Sequence, residues 1–403
     1  IFVDGKSVSS VDEGTEATLI LDQTPFYAES GGQVGDSGSL TEGMHSFHVD
    51  DTQKQGKLFL HHGKVTAGTI SVDSTIHAKI NIADRRASEK NHSATHLLHA
   101  ALRQVLGTHV QQKGSLVKAD RLRFDFSHFE PISGKQLREI EKLVNNNIMH
   151  NQSVGMNEMD IESAKAKGAM ALFGEKYGDV VRVVDMGEFS VELCGGTHVN
   201  SVGDIGPFRI ISESGIASGV RRIEAITGGA AWDAIYSEDD TLAQVAEAIK
   251  SDKNQVSSKI TQVMSEYKAL EKELKQLQAK LASSQGDDMA AQATEVNGVK
   301  MLAAKMDGVD GNTLRETMDK LKDKLEPAVI VLATTDGKKV SVAAGVSKSV
   351  TNRFKAGELV NHVAQQVGGK GGGRPDMAMA GGSDPSKLDE ALASVRAWVE
   401  SKE

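Results

Sequence analysis

Two pairs of metal-capable side chains, each spaced four residues apart, stand out in this chain of 403 residues. His92 and His96 lie in Asn91-His92-Ser93-Ala94-Thr95-His96-Leu97-Leu98, and Cys194 and His198 in Leu193-Cys194-Gly195-Gly196-Thr197-His198-Val199. On a helix, a four-residue spacing puts both imidazoles on one face. In the second pair, the intervening glycines let the backbone turn tightly enough for thiolate and imidazole to converge. Imidazole and thiolate together favour zinc in a tetrahedral set. With all four side chains bound the ion would be structural or positional; with one displaced it could activate water or polarise a carbonyl. Each pair alone is weak, since two surface histidines or an inert buried cysteine read the same way. Cys194 is the only cysteine, however, and its spacing mirrors that of the histidines, so the two pairs are expected to share one zinc ion.

Other segments offer polar contacts. The stretch Ala28-Glu29-Ser30-Gly31-Gly32-Gln33-Val34-Gly35 is either a wide hairpin turn or a loop whose backbone approaches a ligand, with Gly31 and Gly32 at the contact. Gln112 in Gln111-Gln112-Lys113-Gly114-Ser115 reads as a solvated loop residue before a strand at Leu116. Thr95 reads as a mid-helix threonine bonding its own backbone. Near a metal, both would suit a small polar substrate. Arg221 and Arg222 open a strand and mark either a salt-bridged surface or a phosphate contact. Val367-Gly368-Gly369-Lys370-Gly371-Gly372-Gly373-Arg374-Pro375 is expected to be a loop offering exposed amides and charge to phosphate, with Arg353 and Lys355 adding to it.

The elements that must carry these residues follow from pattern. Hydrophobic residues make up 39 % and charged residues 25 %, an ordinary globular composition, and a single cysteine excludes an internal disulfide. No run approaches the ~20 apolar residues of a membrane span. The net charge of −9, taken alone, argues against a general nucleic-acid binder. The chain starts at Ile1 rather than Met and is expected to be a piece of something longer. Residues 1–80 alternate short β-type runs with Gly, Asp and Ser turns and suggest a small barrel or sandwich. Leu97, Leu98, Ala101, Leu102, Val105 and Leu106 give a helix over 84–107 closed by Gly107, which opens an α+β unit over 81–232. From Leu242 to Leu281 apolar residues keep a 4-3 spacing that misses only at Asp252. A helical hairpin packing on itself and a coiled coil between chains both fit residues 237–285. That helix is expected to stop before Ser283-Ser284-Gln285-Gly286-Asp287-Asp288, a polar linker. A final α/β domain takes 286–403.

These residues resemble the bacterial alanyl-tRNA synthetases, in the portion downstream of aminoacylation. The resemblance rests on Thr24 to Gln33, Asn91 to Leu98, Arg121 to Phe126, Glu192 to Val199 and Gly219 to Glu224, in the family's order. It implies an α+β multidomain chain. A β-barrel-like subdomain and an α+β zinc editing core would be joined by a coiled helical segment to a C-terminal domain of the DHH-associated type. It also implies an editing hydrolase that cleaves the ester of tRNA(Ala) mischarged with serine or glycine, within a parent enzyme that attaches alanine using ATP. The class II motifs needed for that activation are absent. By resemblance His92, His96, Cys194 and His198 hold the zinc, and Gln112 and Thr95, with Cys194 in the catalytic set, read the serine hydroxyl. Arg221, Arg222, Arg353, Lys355, Lys370 and Arg374 become candidate tRNA contacts. A cytoplasmic protein without membrane partners follows, with a homodimer through the helical segment or C-terminal domain. The alternatives are a free-standing zinc-dependent aminoacyl-tRNA deacylase and a coiled-coil tRNA-binding adaptor in which zinc is only a staple.

Overall fold

The β-branched and aromatic runs of the first 80 residues pair into a seven-stranded antiparallel sheet. Its order is Lys6–Ser7, Phe2–Val3, Glu16–Leu19, Leu58–Ala67, His45–Gln55, Gly38–Glu42, His77–Ile80. The computed structural model of the chain describes residues 1–170 and 178–402. Alternation sets the buried face: Phe47 and Val49 point into a core with Leu40 and Val65, while the alternating His48 and Asp50 are exposed. Each edge strand has a single neighbour, so this sheet is open rather than barrel-like. Lys6–Ser7 is only two residues long and offers too little backbone to close it. His61 is fully buried, with Nδ1 3.0 Å from the Leu19 carbonyl and Nε2 2.8 Å from the Thr24 hydroxyl. Burial lowers its pKa and favours the neutral ring.

A helix, Ile82–Leu106, follows, its N-terminus capped by the Asn81 side chain and its C-terminus closed by Gly107. It packs with the helix Gly134–His150 and a four-stranded antiparallel sheet ordered Gln112–Val117, Leu122–Ser127, Val220–Thr227, Phe208–Ala217. Leu97, Leu98, Leu102, Phe124, Phe126 and Ile140 are fully buried in their common core. Gly155–Asp160, Val180–Asp185 and Val191–Leu193 make a smaller sheet, whose last strand leads directly to Cys194. The chain divides into two units, Ile1–Gln244 and Val245–Glu403, with the boundary inside the helix Gly228–Ala248.

The 4-3 pattern breaks at Asp252 because the helix ends there: Lys250 takes a left-handed φ of 52° before the next helix, Val256–Ala290. This second helix runs through Ser283 to Asp288, so the expected polar linker is helical. The segment contains no proline, and Met289 is buried beside Leu302 and Leu314, which anchors the final turn. Ile260, Val263, Tyr267, Leu270, Leu274, Leu277 and Leu281 all stand exposed. Among the described residues no helix is long and apolar enough to cross a membrane.

The second unit is built on a six-stranded sheet ordered Thr294–Val296, Val299–Lys305, Ala328–Thr335, Val340–Val346, Met377–Gly382, Lys370–Arg374. Its one parallel pair, Val299–Lys305 with Ala328–Thr335, is joined through the helix Gly311–Leu325. The apolar run Ala328 to Ala333 is buried on both faces. Val329 and Val331 join one core with helices Ala356–Gln366 and Leu388–Glu400, and Ile330 and Leu332 join the other with Gly311–Leu325.

Candidate metal centre and its cavity

From Asn91 to Leu102 the helix Ile82–Leu106 is buried on every face, so its polar side chains must find partners inside the protein. Asn91 Nδ2 donates to the carbonyls of Lys118 and Ala119 at 2.7 and 3.2 Å and its Oδ1 accepts from the Thr227 hydroxyl at 2.7 Å. Thr95 donates its hydroxyl proton to the Asn91 carbonyl at 2.8 Å. The histidines reach beyond the helix. His92 Nδ1 lies 2.7 Å from Gln33 Oε1, His96 Nδ1 2.5 Å from Glu192 Oε2, and His99 Nδ1 2.9 Å from Glu192 Oε1. His198 Nδ1 lies 3.1 Å from Ser93 Oγ.

Gln33 Oε1 and the Glu192 carboxylate can only accept, so Nδ1 of His92, His96 and His99 carries a proton, and in the neutral ring that ligation needs the lone pair is on Nε2. The Nε2 atoms of His92 and His198 come 3.4 and 3.3 Å from Cys194 Sγ, and the four ligand atoms of His92, His96, Cys194 and His198 all lie within 4.8 Å of one another. His96 Nε2 is buried without any hydrogen-bond partner. An orphaned nitrogen among three imidazoles and a thiol is what a metal would satisfy, and an N₃S donor set suits zinc.

Burial would lower His96, but before a metal enters Glu192 and Cys194 outweigh it and raise the ring to about 10, so ligation must release its proton. Burial alone would raise the Glu192 carboxyl, but His96 and His99 outweigh it and hold it at about 2. Burial pushes the Cys194 thiol up, yet the charge of His92 and the hydrogen bonds of His198 and His92 bring it well below its ordinary value, toward the thiolate that ligates. Burial and then the neighbouring His92 drive His198 down to about 3, the neutral form a ligand needs.

Gln33 locks the turn that carries the cysteine. Its Nε2 donates to Thr197 Oγ1 at 2.8 Å and its Oε1 accepts from Thr197 N at 2.9 Å. Gly196 is obligatory here, because a Cβ would collide with His92 Cε1 and fall 2.9 Å from Gln33 Oε1. Gly196→Ala is therefore expected to displace His92 and weaken metal binding by about 10–100-fold, the usual cost of disturbing a ligand's support. Chelator competition reads this directly, and unchanged affinity would show that His92 is not held by this turn.

A cavity of about 260 Å³ opens beside the cluster, lined among others by Tyr27, Gly31, Thr95, His99, Gln112 and Arg182. Gly31 faces it. Gly32 instead meets the neighbouring strand: at φ +89° its Cβ would fall 2.5 Å from the Ser115 carbonyl, so close backbone packing is its role. Gln112 opens a strand, Gln112–Val117, earlier than the expected start at Leu116.

The candidate cations divide. Arg221 pairs with Glu213, and Arg222 grips Asp125 through two bonds of 2.7 and 2.8 Å, so both belong to a salt-bridged surface. Arg353 donates to the carbonyls of Lys402 and Asn297 and fastens the chain's end to the sheet. Lys355 and Lys370 are exposed, and Arg374, 70 % exposed, reaches Asp376 at 3.5 Å. The glycine-rich segment is not a loop: Lys370–Arg374 is an edge strand, and Cβ atoms on Gly371 and Gly373 would collide with the adjacent strand. Sequence reasoning missed the roles of Gln33, Ser93, Glu192 and His99. The available signals were His99 one turn beyond His96 and an acidic residue two positions before Cys194 on a strand.

Three family profiles match the chain: "tRNA synthetases class II (A)" over residues 1–84, "Threonyl and Alanyl tRNA synthetase second additional domain" over 181–224, and "DHHA1 domain" over 298–401. The second of these contains Glu192, Cys194 and His198. The alanine–tRNA ligase of Hydrogenovibrio crunogenus is 74 % identical over 399 residues, covering 99 % of this chain and 46 % of that protein. That of Methylobacillus flagellatus is 56 % identical over 403 residues, covering 100 % and 46 %. A loose structural likeness, at TM-score 0.26 and 28 % identity, covers 27 % of this chain and 97 % of the C-Ala domain from Aquifex aeolicus alanyl-tRNA synthetase. Along its whole length the chain is a homologue of the C-terminal part of bacterial alanine–tRNA ligases, and it spans about half the length of the curated relatives it matches.

Proposed function

We propose that this chain is a cytoplasmic editing hydrolase that cleaves the ester of tRNA(Ala) mischarged with serine or glycine, using a zinc ion held by His92, His96, Cys194 and His198. The observation that carries the proposal is the juxtaposition of that four-ligand cluster with a cavity bearing Gln112 and Thr95. A pocket that selects alanine cannot exclude the smaller glycine, and it excludes serine poorly because one hydroxyl adds little bulk, so a second sieve is needed. When bound, zinc supplies Lewis acidity next to the ester. The protein's own groups do the sorting. Thr95 has committed its proton to Asn91, so its oxygen is left to accept from a serine hydroxyl, while the Gln112 carboxamide can donate to it. An alanyl ester leaves both unpaired, and so does a glycyl ester, so this pair sorts serine from alanine only. The test is deacylation of Ser-, Gly- and Ala-tRNA(Ala) by the full chain: hydrolysis of the first two with sparing of the third supports the proposal, and equal rates on all three defeat it.

In the second unit we propose tRNA contact through Lys370, Arg374 and Lys355, whose charges lie at the surface. Lys370→Ala with Arg374→Ala is expected to weaken tRNA binding and to flatten its salt dependence by about one unit of slope for each phosphate no longer neutralised. An unchanged salt slope would remove these residues from the interface. Self-association through the exposed stripe of the helix Val256–Ala290 belongs to the same proposal, since a seam of this spacing is buried in a coiled coil. Leu270→Asp with Leu277→Asp should shift a dimer to monomer in sedimentation; a monomeric parent chain would dispose of the idea.

A further inference from the structure

Two buried imidazole nitrogens have no hydrogen-bond partner among the described residues, His96 Nε2 and His99 Nε2. The first belongs to the four-ligand cluster, and the second does not. His99 is 4 % exposed, its ring lies 5.3 Å from that of Phe124, its Nδ1 lies 2.9 Å from Glu192 Oε1, and it lines the cavity. The Glu192 carboxylate can only accept, so Nδ1 of His99 carries a proton and the neutral ring presents a lone pair at Nε2. A buried acceptor left unpaired is costly. Its place in a cavity wall points to a donor that arrives with the cavity's contents.

We infer that His99 is a contact residue of the deacylation site, its Nε2 accepting a hydrogen bond from a donor common to seryl and glycyl esters: the attacking water or the α-ammonium. The inference rests on the editing proposal above. Thr95 and Gln112 already face the cavity as partners for a serine hydroxyl. A glycyl ester has no hydroxyl, so its removal calls for a group acting on what the two substrates share. The carboxylate behind the ring strengthens Nε2 as an acceptor, as a carboxylate–histidine pair does elsewhere.

His99→Asn isolates this nitrogen, because the carboxamide can still donate to Glu192 while Nε2 is deleted. In the zinc-loaded full chain, metal content and melting temperature are expected to hold. Deacylation of Ser-tRNA(Ala) and Gly-tRNA(Ala) should fall together, by about tenfold or more. A fall in kcat at constant KM assigns the donor to water, and a rise in KM assigns it to the ammonium. A loss confined to the seryl substrate, or no loss in a chain whose wild type deacylates, overturns the inference and leaves the editing proposal standing. A wild type that cleaves neither ester defeats the editing proposal instead. Independently of turnover, the ¹⁵N resonance of His99 Nε2 should move on adding either amide-linked seryl- or glycyl-adenosine. A resonance that moves with the seryl compound alone, or with neither, contradicts the inference.

Discussion

Cys194→Ala is expected to abolish stoichiometric zinc and, with it, hydrolysis of mischarged tRNA(Ala). The sulfur is the only non-nitrogen donor in the cluster and sits at its centre, 3.4 and 3.3 Å from the Nε2 atoms of His92 and His198. Its removal leaves three imidazoles and no anionic ligand. The loss of affinity should therefore exceed the roughly 10–100-fold cost of disturbing a ligand's support, as in Gly196→Ala. Binding to the native state alone stabilises it by about 2.7 kcal/mol at a hundredfold excess over Kd. The wild type should accordingly melt at a higher temperature with zinc than without, and the variant should show no such response. Full zinc retention by Cys194→Ala would sink the ligand assignment.

Glu192→Gln is the second large effect, and it arises without removing a ligand. The carboxylate is 2 % exposed and accepts from two rings at once, His96 through Oε2 and His99 through Oε1. A carboxamide has a single acceptor oxygen, and its NH₂ would confront the Nδ1–H of the second ring. One imidazole must then change tautomer and place its proton on Nε2. If that ring is His96, the lone pair facing the cluster disappears. Zinc affinity is expected to drop by about 10–100-fold, and stability by about 1–3 kcal/mol because a buried imidazole N–H has lost its acceptor. Chelator competition and denaturant unfolding measure the two losses separately. A variant within about twofold of wild type in zinc affinity would show that His96 needs no such orientation.

The spacing arguments reached the ligands because local geometry fixes them: four residues on a helix align His92 with His96, and Gly195-Gly196 folds Cys194 back on His198. The support was harder to read. Gln33, Ser93 and Glu192 lie 59, 105 and 96 positions from the histidines they hold, so no window of sequence joins them. Arg221 and Arg222 left a salt-bridged surface and a phosphate contact both open for the same reason. Asp125 faces Arg222 in the register of the paired strands, and Glu213 comes from the strand on the other side. The glycine-rich segment looked like a loop because glycine carries no strand preference, whereas cross-strand crowding is what demands it at Gly371 and Gly373. The helix that outlasts its expected end does so because Met289 finds a core, a tertiary gain that local polarity does not foretell. The end of Ile82–Leu106 was legible, since Gly107 closes it in the sequence itself.

The most direct test of zinc-dependent editing strips the full chain of metal, restores one equivalent of zinc, and follows ester hydrolysis of Ser-tRNA(Ala) and Ala-tRNA(Ala) in parallel. The expected result is negligible hydrolysis without zinc, recovery on the seryl substrate upon reconstitution, and an alanyl ester that survives both conditions. Hydrolysis of the seryl ester at the same rate with and without zinc, or equal cleavage of the two esters, would contradict zinc-dependent editing by this chain.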